Sequence, residues 1–159
     1  MLSFAKLGAI AGCLVALAGT ANAQSEWLKG TPEEQLKTLA EIQPGLGTIM
    51  MEYSFRFGTM YYAAQGGNWK LADYQLKEMT EIQEVGEHTR PGRAQALKAF
   101  EEKSLGPIAA AIKEQNLKAF NVAFQAGVKA CNECHVYQSF GFIHYQLPKS
   151  SPSPLSSKP

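Results

Sequence analysis

The sequence predicts an all-α protein, an up-and-down antiparallel four-helix bundle with a short extra N-terminal helix. Three observations carry this. Apolar residues recur at three- and four-residue spacing, and no stretch of useful length alternates as a strand would. Helix-capping residues stand where such segments begin, at Thr31, Asn68 and Asn116. The longer segments run to about twenty residues each with short links between them, which favours antiparallel neighbours.

The elements follow in order. Residues 1–23 hold one lysine, an apolar run from Leu7 to Ala18 and then Ala21-Asn22-Ala23, the form of a secretory signal peptide with an A-x-A cleavage site. Ile10 to Cys13 resembles a lipoprotein box, but a cut there would leave a very short apolar run. Cleavage after Ala23 removes Cys13 and leaves no stable membrane span. Export to the periplasm is the expectation. Thr31-Pro32-Glu33-Glu34 starts a short helix, with Thr31 as N-cap and Glu34 placed for a capping box, ending near Gln43. The first long helix covers about 46–64 and stops at Gly66-Gly67. Asn68 caps the second, from Trp69 to about Glu87, before "HTRPGR" breaks the chain. The third runs from about Arg93 to Glu114, bent at Gly106-Pro107. Asn116 caps the fourth, from Leu117 to about Tyr137. Residues 24–147 thus form the helical domain, and the Pro/Ser-rich residues 148–159 read as a disordered tail.

The seam that spacing predicts joins Leu46, Met50, Tyr53, Phe57, Met60 and Ala64 of the first long helix to Ala72, Leu76, Met79 and Ile82 of the second. Leu97, Phe100, Ile108 and Ile112 face them from the third. Leu117, Phe120, Ala123, Phe124, Gly127, Cys131, Cys134 and His135 do so from the fourth. Ile49, Phe55 and Tyr62 fall off this seam, and such apolar surface favours a homodimer.

Composition narrows the function. The chain has 159 residues, 45% of them apolar, and a formal charge of +1. That is enough for a globular core and lacks the basic footprint of a nucleic-acid partner. No nucleophile–base set and no second metal site is evident, so no enzyme activity is expected.

The chemistry concentrates in "KACNECHVYQSF", which places Cys131, Cys134 and His135 within five positions. Four readings compete. A disulfide is permitted in an exported protein. A thioredoxin-like dithiol needs a strand before its helix, and none is predicted. Zinc needs a fourth ligand, with only His88 and His144 left as histidines. Cys-x-x-Cys-His is the attachment signature of haem c. On a helix the two thiols share one face and the imidazole lies beside the first, so both cysteines can bond one porphyrin edge while His135 reaches the iron. Gly127, one turn earlier, leaves room for a flat ring. Haem is the favoured reading.

With a leader, four helices and "CNECH" near the end of the last, the chain resembles the class II c-type cytochromes, the cytochrome c′ group, over roughly residues 44–137. The resemblance implies one covalently attached haem c near one end of the bundle, its distal face covered by the first long helix. It also implies electron transfer with redox partner proteins, or binding of nitric oxide or carbon monoxide. In an up-and-down bundle the level opposite His135 lies near residues 50–54. Met50 is on the core face there, Met51 points about 100° away, and Met60 is about 15 Å further along. Met50 is therefore the candidate sixth iron ligand, with Met51 or an open site as alternatives. A methionine ligand would match the electron-transfer members and an open site the gas-binding ones. The family often carries a basic residue just after the histidine; Val136-Tyr137-Gln138 has none. Arg56, Arg90 and Arg93 remain as partners for the propionates. "SFGFIHYQLP" is expected to fold back over the haem edge.

Overall fold

The structure, a computed structural model, describes residues 27–159; the expected leader and its Cys13 lie outside them. The described residues are all-helical. They form α1 (Pro32–Glu41), α2 (Leu46–Gln65), α3 (Trp69–Thr89), α4 (Pro91–Phe100), a π-helical turn (Glu101–Leu105), α5 (Gly106–Lys113) and α6 (Leu117–Tyr137). None of these helices is long and apolar enough to cross a membrane. Among the described residues, those from 27 to 42 and those from Gln43 onward belong to separate compact units. In the first, α1 starts on the predicted capping box. Thr31 Oγ1 accepts from the Glu34 N–H, and Glu34 returns a carboxylate to the Thr31 N–H at 2.7 Å.

In the second unit, α3 and α6 begin as expected, with the Asn68 and Asn116 side chains accepting from the N–H groups of Leu71 and Ala119. The break between α3 and α4 is a single residue, Arg90, followed by Pro91 at the first position of α4. The expected bend at Gly106-Pro107 is displaced toward the N-terminus. Pro107 has no N–H for the carbonyl four residues back, and the chain widens just before it. The Gly106 N–H reaches the Glu101 carbonyl, the i→i−5 bond of a π turn.

The helices meet through a buried aromatic core. Phe57 of α2 stacks on Phe124 of α6 with centroids 4.4 Å apart, and Tyr61 packs on both Phe124 and Phe120. Met60, Met79 and Ile108 are fully buried around them. Rising numbers on α2 meet falling numbers on α6, so this pair is antiparallel. The α2/α3 pair is antiparallel too: Arg56 reaches Gln75 and Glu78, while Leu46 and Ile49 lie over Gly86.

Gly86 changes the expected seam. A Cβ there would sit 3.0 Å from Leu46 Cδ1 and 3.6 Å from Ile49 Cδ1. The missing side chain admits α2, and Ile49, expected on the outer face, is 1% exposed. Leu46 and Met50 are only half-buried, and Leu117, expected in the core, is exposed.

The segment 148–159, for which composition predicts disorder, runs along α2. Tyr62 donates its hydroxyl to the Pro148 carbonyl at 2.5 Å, and Asn68 Nδ2 donates to the carbonyls of Ser156 and Lys158. Gly58 and Gly66 leave the room it uses, since a Cβ at either would press on Pro152 or on the Ser157 carbonyl. Prolines restrict the segment before folding, so ordering it costs less entropy than its composition suggests.

Candidate functional site

The site lies at the far end of the α2/α6 contact from Trp69. Phe57 meets Phe124 and Tyr61 meets Phe120, so the next turns of the antiparallel pair bring Tyr53 to the level of Val128, Met50 to that of Cys131, and Leu46 and Gly47 to that of His135 and Cys134. The electrostatics agree. Burial raises the Tyr53 hydroxyl well above its ordinary pKa, and Cys131, Glu101 and Cys134 add to the shift.

Both thiols are free and both sit on α6. Cys131 is half-buried against the core cluster. Burial pushes its thiol up to about 12, with Cys134 adding to the effect. Burial raises Cys134 as well, and the Arg93 guanidinium pulls it partly back. Cys134 opens onto a groove of about 340 Å³ between α4, the π turn and α6, lined by Ala96, Phe100, Ser104 and Ala130 among others.

Reactive redox dithiols have a depressed thiol pKa, whereas burial raises both of these. Among the described residues no three His, Cys, Asp or Glu side chains are grouped to hold a metal ion. His88 lies at the end of α3, its ring N–H donating to the Glu84 carbonyl, and His144 is exposed.

His135 is held by the chain beyond α6. Gln138 and Ser139 end that helix in a Schellman motif: the Phe140 N–H bonds the His135 carbonyl at 2.7 Å and the Ser139 N–H bonds that of Val136. Ser139 takes the left-handed position, at φ +67°. The chain then returns beside α6. His135 Nδ1 lies 3.0 Å from the Ile143 carbonyl. A carbonyl only accepts, so Nδ1 carries the proton, and in the neutral ring Nε2 is the free lone pair. Asn132 pins the same segment, accepting from the Tyr145 N–H at 2.7 Å and donating to the Tyr145 carbonyl at 3.2 Å.

Of the three arginines, the structure brings one to the site. Arg56 is taken by Glu52, Glu78 and Gln75, and Arg90 by the carbonyls of Thr89 and Gln43. Arg93 bonds Gln138 and lies 5.5 Å over the Phe140 ring, close enough to Cys134 to influence it. Met51 is 72% exposed, Met60 is locked in the core and Met50 is half-buried.

The sequence offers no signal for Asn132 or Tyr145. Spacing places Tyr53 on the core face, as packing or as a wall of a haem pocket. Yet the hydroxyls of Tyr53 and Tyr145 are buried with no hydrogen-bond partner, and both lie close enough to Cys131 for its charge to raise them. Orphaned buried hydroxyls are costly and mark a place where a further polar partner fits. Two free thiols one turn apart, an imidazole with Nδ1 committed and unpartnered phenols alongside form a donor set that fits haem c. Comparison with protein-family models, with curated proteins and with solved structures finds no match to this chain.

Proposed function

We propose that the chain is an exported, periplasmic c-type cytochrome of the cytochrome c′ kind, carrying one covalently attached haem c and acting as an electron carrier rather than an enzyme. In this reading α2, α3, the interrupted rod α4–α5 and α6 make an up-and-down four-helix bundle, and the antiparallel α2/α3 and α2/α6 pairs support it. Cys131 and Cys134 would hold the haem through thioethers, and His135 Nε2 would ligate its iron. The bound group would supply an iron that cycles between two oxidation states, its potential set by ligands and burial.

The chain's own residues do the rest. The Ile143 carbonyl keeps the His135 proton on Nδ1. Phe57, Tyr53 and Phe100 wall off water on the core side. Arg93 puts a positive charge beside Cys134, the one cation of the three candidates suited to a propionate. Met50 would be the second iron ligand. A homodimer would have to pair around Met51 and Phe55, because Ile49 is in the core and Tyr62 is capped by the tail.

The observation that carries the reading is the Cys131-x-x-Cys134-His135 run at the end of α6, with free thiols and a committed Nδ1. Denatured protein should keep a haem stain, and the oxidised protein should be low-spin with the weak sulfur-to-iron absorption in the far red. Met50→Ala should abolish that absorption and open the iron to carbon monoxide, while Met51→Ala leaves it unchanged. A wild-type protein that is high-spin and takes up carbon monoxide directly would make Met50 plain packing and turn the protein into a gas binder.

A further inference from the structure

We propose that Asn132, the residue after the first attachment cysteine, is a positioning residue that fixes the tautomer of the neighbouring histidine. It works through the backbone of the returning segment. The Asn132 carboxamide makes two bonds to one residue, taking the Tyr145 N–H and giving an N–H to the Tyr145 carbonyl. Those two bonds hold residue 145 one turn from His135 on α6, at the position where Ile143 two residues earlier presents its carbonyl to His135 Nδ1.

Three further contacts brace the segment. The Schellman turn at Ser139 directs it back, the Ile143 N–H bonds the Phe140 carbonyl, and the Tyr145 ring packs on Phe57 with centroids 5.3 Å apart. The Asn132 clamp is the only side-chain bond among these that joins the segment directly to α6 next to His135. Without it the Ile143 carbonyl is tethered by the turn at Ser139, the bond to Phe140, the packing of Tyr145 and the Tyr62–Pro148 bond further on, and no side chain of α6 beside His135 holds it in place. Nδ1 can then lose its acceptor and the proton can move to Nε2, the nitrogen that must stay bare to bind a metal. An aspartate in this place would keep one bond of the two, and alanine neither.

This inference rests on the haem reading for its consequence, and its first readout does not need haem. In full-length protein labelled with ¹⁵N at histidine, NMR should show His135 as a fixed Nδ1–H tautomer with a slowly exchanging ring proton. Asn132→Ala should speed that exchange roughly tenfold or more, the scale of one lost hydrogen bond. Asn132→Asp should fall between the two, and it stands in if the alanine variant does not fold. In haem-loaded protein Asn132→Ala should also raise the reduction potential, since a histidine that loses its acceptor donates less to the oxidised iron. A wild-type ring with the proton on Nε2 overturns the proposal, as does exchange unchanged by the available variant. Absence of haem on the same sample would sink the functional reading alone, and the exchange comparison would still decide whether Asn132 holds the ring.

Discussion

The two ends of the α2/α6 contact are built from the same pair of helices and obey opposite rules. Around Phe57, Phe120, Phe124 and Met60 the interface is apolar, aromatic and fully buried. One or two turns away, around Tyr53, Cys131 and the π turn, it holds two thiols with raised pKa and two unpartnered hydroxyls. A polar cluster on α3 and the π turn extends that end. Buried Gln83 there bonds Glu87 at 3.0 Å and reaches Glu101 at 3.3 Å. The first end is what a bundle needs for stability. The second spends stability on groups that packing alone would not choose, and such local conflict in a natural chain marks function.

The contrast can be broken at the apolar end first, where the largest effect lies. Phe124→Ala removes a ring that touches three others and should cost about 3–5 kcal/mol in chemical denaturation. A cost below 1 kcal/mol would mean this end is not the stabilising one. At the other end a hydroxyl should be dispensable. Tyr53→Phe deletes a buried group without a partner and should leave stability unchanged or raise it by up to about 1 kcal/mol. Tyr62→Phe, which breaks the bond to the Pro148 carbonyl, should instead cost about 0.5–1.5 kcal/mol. If the two tyrosine variants behave alike, Tyr53 is not orphaned and the comparison fails.

A smaller effect should appear in the pH dependence. Burial raises the Glu101 carboxyl above its ordinary value, and the nearby charges of Glu87, Glu84 and Glu102 add to it. A carboxyl whose folded pKa exceeds its unfolded one binds more protons in the folded state between the two. Stability from this group therefore falls as pH rises from about 4.5 through the raised value. Glu101→Gln keeps an acceptor for Gln83 and should remove that fall, so that variant and wild type converge in acid and the variant is slightly more stable at neutral pH. Parallel curves across the range would count against it.

How much of this the sequence disclosed follows the range of the interactions. Capping at Thr31, Asn68 and Asn116 is decided within three residues, and α1, α3 and α6 begin where those side chains predict. The Cys131–Cys134–His135 run is likewise local. Ile49 was misplaced because its burial depends on Gly86, a glycine on another helix that periodicity in α2 cannot see. The π turn needed the consequence of Pro107 for the turn before it, rather than at the proline itself. The ordered tail depends on Gly58, Gly66 and Tyr62, some ninety residues upstream, while its own composition argues for disorder. Asn132 was illegible for the same reason: its partner at Tyr145 is fixed by a left-handed serine at 139, which no local rule requires.

The central claim is that Cys131 and Cys134 hold a haem covalently. The intact mass of the purified protein tests it most directly. The account predicts a mass higher than the polypeptide by one haem, unchanged by denaturant or reductant, and lost when both cysteines are replaced by serine. A mass equal to the polypeptide with two free thiols, or two hydrogens lighter and restored by reductant, would contradict it.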